Sequence, residues 1–206
     1  MNKNYILLIG ASSAIGLEIM RQVADENTIF LAHCFSGKDK LDVLQAEIAA
    51  QIIPLQADLS CEAGVDSLIE MIVSHCAYPN KIVFIAAPRF ALSRFKDLTW
   101  SDFKAQLDIQ LCCAVKTLSR FLPMMASARS GKLVFVLSSY TMGKPPSSMA
   151  HYVTAKYALL GLMKSLASEY SGKKICINAV SPSMIETGFL TQIPEKLIEL
   201  TAQQHP

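Results

Sequence analysis

Short apolar runs alternate along the chain with longer segments of helical period. The strand candidates are Tyr5–Ile9, Thr28–Ala32, Ile52–Gln56, Lys81–Ala86, Lys132–Leu137 and Lys174–Val180. They are mostly apolar throughout rather than alternating, the pattern of strands buried on both faces. Between them the pattern predicts helices near Ala14–Ala24, Lys38–Ala50, Glu62–His75, Trp100–Leu122 and His151–Glu169. Repeated strand–helix alternation implies a parallel sheet with right-handed crossovers. Helices then cover both faces, which makes a doubly wound α/β unit, a Rossmann-type three-layer sandwich spanning residues 1–206. Ligands of such sheets bind beyond the carboxyl ends of the strands, so the chemistry is expected in the residues that follow each strand.

Composition narrows the function classes. The chain is 51% apolar and 17% charged, enough for a sizeable core and too little charge for long disordered tracts. The net charge of +2 is mild and the Lys and Arg residues form no run, so no nucleic-acid partner is expected. None of the six cysteines lies in a Cys-x-x-Cys pair, and the four His residues do not join them at ligand spacing, so no metal site is expected. Most of the cysteines fall in apolar runs, which suits a reducing compartment. The opening apolar run is too short for a signal peptide and no run reaches membrane-span length, so the expectation is a soluble cytoplasmic protein.

The first strand ends in Gly10-Ala11-Ser12-Ser13-Ala14-Ile15-Gly16, with a helix directly behind it. Gly10 permits a tight turn, Gly16 lets the helix pack close to the strand, and the helix start offers free N–H groups to a pyrophosphate. After the second strand no acid appears before Asp39. An acid there commonly binds the ribose 2′-hydroxyl of NAD. His33, Ser36 and Lys38 are instead available to face a 2′-phosphate, which favours NADP(H) over NAD(H); alternatively they are solvated loop residues. Asp58, followed by Leu59, ends the third strand. Its carboxylate can accept from an adenine amino group or cap the helix near Glu62.

Tyr152 and Lys156 stand four apart in a helical segment, one turn apart on one face. A phenol titrates at about 10, and a neighbouring ammonium favours its ionised form. Tyr152 can then donate a proton to a carbonyl oxygen or remove one from an alcohol. Ser139, thirteen residues upstream and at the same sheet edge, can hold that oxygen.

The glycine turn Gly10–Gly16, Ser138-Ser139 after the fifth strand, and Tyr152-Val153-Thr154-Ala155-Lys156 together resemble the short-chain dehydrogenase/reductase family. Within it the chain is most similar to ketoacyl-carrier-protein-reductase-like enzymes. The resemblance implies an NAD(P)-dependent oxidoreductase acting on a small carbonyl or alcohol, an acyl thioester among the candidates, and a homo-oligomer. It also implies that Ala86 and Ala87 lie against the cofactor. The stretch Asn178–Thr187 resembles the family's segment after strand six, where backbone groups near Pro182, Ser183 and Ile185, and a Thr matched by Thr187, approach the nicotinamide and phosphates.

Several positions depart from the family pattern. Ala14 and Ser183 replace glycines, and Ala86-Ala87-Pro88 replaces Asn-Ala-Gly. The helix Asn that helps link the active-site Lys to solvent falls on Gln110. Family members continue past the point where this chain ends, so the resemblance implies that the carboxyl end is cut within the lid region and that the usual last edge strand is lacking. Gly188–Gln203, with an apolar stripe at helical spacing, is the lid candidate: either a mobile cover over an apolar substrate or a helix docked on the core. These departures motivate a second reading, a non-catalytic dinucleotide-binding regulatory protein on the same fold.

Overall fold

Strand β1 (Asn4–Ile9) sends successive side chains to opposite sides and buries them on both. Leu7 and Ile9 enter one core cluster, Ile6 and Leu8 another. The same double burial explains β2 (Thr28–Cys34), which is buried at every position. The computed structural model describes residues 3–183 and 185. With β3 (Gln51–Gln56), β4 (Lys81–Phe84), β5 (Gly131–Val136) and β6 (Ile175–Val180), these strands form one parallel sheet in the order β3-β2-β1-β4-β5-β6.

The helices are α1 (Ala14–Val23), α2 (Lys38–Glu47), α3 (Glu62–His75), α4 (Trp100–Leu107), α5 (Cys113–Ala128) and α6 (Ala150–Glu169). Met20 of α1 and Leu41 and Leu44 of α2 pack in one cluster; residues of α3, α5 and α6 pack in the other. The result is the expected three-layer doubly wound sandwich. Among the described residues β3 and β6 are the two edges of the sheet.

Each strand and helix expected from the periodicity has a counterpart, with one difference. The single helix expected over Trp100–Leu122 is interrupted by a π-helical turn at Asp108–Cys112 and continues as α5 to Ala128. A π-turn inserts one residue into the helical ladder and commonly marks a functional position. Apolar periodicity does not register it, because Gln106 just before the turn and Gln110 within it are polar residues that are nonetheless buried.

Candidate active site

The strand order reverses between β1 and β4, and ligands of doubly wound sheets bind at this point. The turn after β1 and the loop after β4 meet there. Gly10 adopts φ 96°, and a Cβ on it would lie 2.8 Å from the backbone nitrogen of Ala86. A Cβ on Gly16 would lie 2.5 Å from the carbonyl oxygen of Ala11, so glycine alone lets α1 start this close to β1. Ser13 caps α1: its hydroxyl accepts from the Gly16 N–H at 3.1 Å and donates to the Gly10 carbonyl at 2.7 Å. Ala14 and Ile15 of the first turn line the cleft, where the positive end of the helix favours an anion. Ser12 ties this turn to the loop after β2 by donating to the Ser36 carbonyl at 2.8 Å.

His33, expected to be available to a 2′-phosphate, lines the cleft as a neutral ring. Its Nδ1 accepts from the Gly10 N–H at 3.2 Å, which fixes the neutral tautomer whose Nε2–H donates to the Ala57 carbonyl at 3.1 Å. The ring is 3% exposed, and burial pushes its pKa below the usual histidine value. His33 therefore braces three strand ends. Lys40, rather than Lys38, reaches the cleft, one helical residue pair further on, beside Ser36 and Gly37.

Asp58 lines the same end. Its carboxylate accepts from the Ser60 N–H at 2.9 Å, and hydrogen bonds from Ser60 hold its pKa below the ordinary carboxylate range. Cys61, not Asp58, is the N-cap of α3. The turn needs Gly64, whose missing Cβ would overlap the Asp58 carbonyl oxygen. A glycine in the first turn of a helix was the available signal.

At the other end α6 presents Tyr152 and Lys156 to the cleft. Both are buried, and the Lys156 Nζ lies 5.6 Å from the Tyr152 ring centroid. Nζ donates to the Val136 carbonyl at 2.8 Å. Of the two adjacent serines, Ser138 lines the cleft beside Tyr152 and opposes the rise of its pKa, and Ser139 does not line it. Spacing from Tyr152 points to Ser139; in the structure it is the neighbouring Ser138 that lines the cleft. Ser138 is still extended (φ −156°, ψ 148°) and shares the strand face of Val136. A 3₁₀ turn begins at Ser139, whose N–H donates to the Pro182 carbonyl at 2.8 Å.

Burial also overturns the expected direction of the phenol's pKa. Desolvation pushes Tyr152 up to about 12, and the hydrogen bond from Ser138 only partly opposes it. Lys156 is pushed down to about 8 by its own burial, which weakens the cation that was expected to lower Tyr152. Gln110 is buried in the π-turn, where its Nε2 donates to Gln106 Oε1 at 2.8 Å and its own Oε1 has no partner. It does not line the cleft, although the turn packs against α6.

The whole cleft encloses about 880 Å³. Gly10, Ser12, Ser13, Ile15, His33, Asp58, Leu59, Ala86 and Ala87 line one part, and Tyr152, Lys156, Pro182, Ser183 and Ile185 the other. Gly16 acts from beneath. Thr187 and the lid candidate Gly188–Gln203 lie outside the described residues. Among the described residues, Lys40, Arg89 and Lys156 line the cleft against Asp58 alone, a balance that suits a phosphate-bearing ligand. An extended, cationic cleft whose glycine cradle admits no Cβ fits a dinucleotide. No helix among the described residues is long and apolar enough to cross a membrane.

Comparison with known proteins agrees with this geometry. The family model for short chain dehydrogenases matches residues 4–198. The chain is 29% identical to a 3-oxoacyl-[acyl-carrier-protein] reductase of Staphylococcus epidermidis, over all of this chain and 84% of that protein. Its fold is shared by a 3-oxoacyl-[acyl-carrier protein] reductase of Brucella melitensis (TM-score 0.83, 20% identity, 97% of this chain and 76% of that one). A NAD+-bound xylitol dehydrogenase superposes with TM-score 0.81 at 24% identity, covering 100% of this chain and 78% of the other. The chain belongs to the short-chain dehydrogenase family of NAD(P)-dependent oxidoreductases.

Proposed function

We propose that the chain reduces the ketone of a 3-oxoacyl thioester with NADPH. The observation that carries this reading is the convergence of Ser138, Tyr152 and Lys156 at one end of a cationic dinucleotide cleft. The relative named for 3-oxoacyl reduction supports the substrate class. Bound in the cleft, the nicotinamide dinucleotide supplies the hydride. Ser138 donates a hydrogen bond to the substrate oxygen, and Tyr152 delivers its proton to that oxygen as negative charge develops. A phenol held at about 12 is fully protonated at neutral pH, which equips it as a donor for reduction. Alcohol oxidation needs the ionised phenol and should rise with pH. Lys156 carries charge beside the phenol and sits within reach of a cofactor ribose. In this reading the unpartnered Gln110 Oε1 accepts from a bridging water behind Lys156 and so connects it to solvent.

The preference for NADPH rests on Lys40, Ser36 and the start of α2, which meet at the cleft where no acid lines the β2 end. In this reading the protein is a cytoplasmic homo-oligomer, and Gly10, Ile15, Asp58, Leu59, Ala86, Ala87, Pro182, Ser183 and Ile185 hold the cofactor, with Thr187.

Two variants test the reading. Tyr152→Phe should abolish NADPH-dependent reduction of an acetoacetyl thioester while the NADPH Kd, measured by fluorescence titration, stays within about twofold; residual activity near wild type would refute the chemistry. Lys40→Ala should raise the KM for NADPH roughly tenfold and leave that for NADH unchanged. Equal effects on both cofactors would remove the case for the 2′-phosphate.

A further inference from the structure

A second tyrosine enters the cleft just beyond Ser138. Tyr140 lies in the 3₁₀ turn Ser139–Thr141 and lines the cleft together with Ser138, Tyr152 and Lys156. Hydrogen bonds fix this turn from several sides. The Tyr140 N–H donates to the Ser138 hydroxyl at 3.3 Å, and the Thr141 hydroxyl donates to the Ser138 carbonyl at 2.7 Å. The Ser139 N–H is bonded to the Pro182 carbonyl. Tyr140 is half-buried, and its phenol has no hydrogen-bond partner among the described residues. Burial pushes its pKa above the ordinary tyrosine value, so at neutral pH the hydroxyl is protonated and able to donate. Tyr140 also stands near enough to Tyr152 to add, after burial, to the rise of that residue's pKa.

The other polar groups in this part of the lining have tasks of their own. Ser138 and Tyr152 take the reacting oxygen in the proposed reaction, and the Lys156 Nζ donates to the Val136 carbonyl. Arg89 also lines the cleft, from the loop after β4, and is exposed. We infer that Tyr140 is a specificity-determining residue: its phenol donates a hydrogen bond to a second carbonyl oxygen of the substrate, two carbons from the ketone, and so favours 1,3-dicarbonyl compounds over isolated ketones. This rests on the proposed reaction at Tyr152 and names the group that recognises the rest of a 3-oxoacyl substrate. Tyr140 springs from the turn that also carries Ser138, so its phenol serves the atoms beside the reacting carbonyl and not a remote part of the ligand. A 3-oxoacyl thioester places its thioester carbonyl there. An isolated ketone places a methylene there and leaves a desolvated donor unpaired. A site built to hydrogen-bond a substrate group discriminates against the analogue that lacks it.

The test uses the full chain with NADPH and two neutral ketones of equal chain length, ethyl acetoacetate and 2-heptanone, assayed with wild type, Tyr140→Phe and Tyr152→Phe. Tyr140→Phe keeps the ring and removes a hydroxyl that no described residue binds, so the fold should persist. It should lower kcat/KM for ethyl acetoacetate roughly tenfold, chiefly through KM, and that for 2-heptanone by no more than about twofold. An equal loss on both ketones, or a fall in kcat with a displaced pH profile, would mean that Tyr140 acts through Tyr152 and not on the substrate. Either result, or unchanged kinetics, overturns the role of Tyr140, while an inactive Tyr152→Phe leaves the proposed reaction standing. A wild type inert towards ethyl acetoacetate, or an active Tyr152→Phe, overturns the reaction and this inference with it.

Discussion

Which serine lines the cleft beside Tyr152 depends on one residue of backbone. Ser138 and Ser139 are chemically the same, yet only Ser138 is extended and turned to the cleft. Ser138→Ala should therefore cost roughly a hundredfold in kcat, as for loss of one donor to a developing oxyanion. Ser139→Ala should stay within a few-fold of wild type, since its N–H bond to Pro182 survives the substitution. Steady-state kinetics of the two variants decides the assignment, and the reverse order of effects would restore Ser139. His33 makes a similar point. As a letter in the sequence it is a potential cation; in place it is a neutral brace with both ring nitrogens engaged.

Among the elements, the interrupted helix between β4 and β5 sets the back of the site. The π-turn at Asp108–Cys112 buries Gln110 against α6, with one amide group bonded to Gln106 and one acceptor unpartnered. Replacing Gln110 with Leu removes a side-chain hydrogen bond and also removes an orphan acceptor. It leaves Gln106 Oε1 without its donor. These terms are each about 1 kcal/mol and oppose one another, so stability should move by about 1 kcal/mol or less in urea unfolding. If Gln110 links Lys156 to solvent, kcat should fall about tenfold with the NADPH Kd unchanged. An unchanged kcat would exclude the link. Helical periodicity located the segment but not its break, because the inserted residue is defined by the hydrogen-bond ladder and not by any apolar repeat.

At the scale of the whole molecule, acid stability should follow the buried histidines. Burial depresses the pKa of His33 and of His151 from 6.5. Below that value the unfolded chain binds protons that the folded chain does not, so stability rises with pH up to about 6.5 and is lost as pH falls beneath it. Each group contributes up to roughly 1.4 kcal/mol per pH unit. His33→Gln should lower stability at neutral pH and flatten this acid limb, measured as the urea midpoint against pH; an equally steep limb would shift the effect to His151. Much of the architecture was legible in the residues themselves. Unbroken apolar runs can only be strands covered on both faces, helical periods between them dictate crossovers, and Gly10, Gly16, Tyr152 and Lys156 announce themselves because turn geometry and i, i+4 spacing are local properties. What spacing could not supply were quantities set by distant chain segments meeting. The choice of Ser138 depends on where β5 gives way to a 3₁₀ turn. The neutrality of His33 depends on β1 and β3 arriving at its two nitrogens, and the raised pKa of Tyr152 depends on the burial that surrounds it. Tyr140, in a turn without a repeat, acquires meaning only from the cleft it lines. Local geometry is written in neighbouring residues; desolvation and contact between remote segments exist only once the chain has folded.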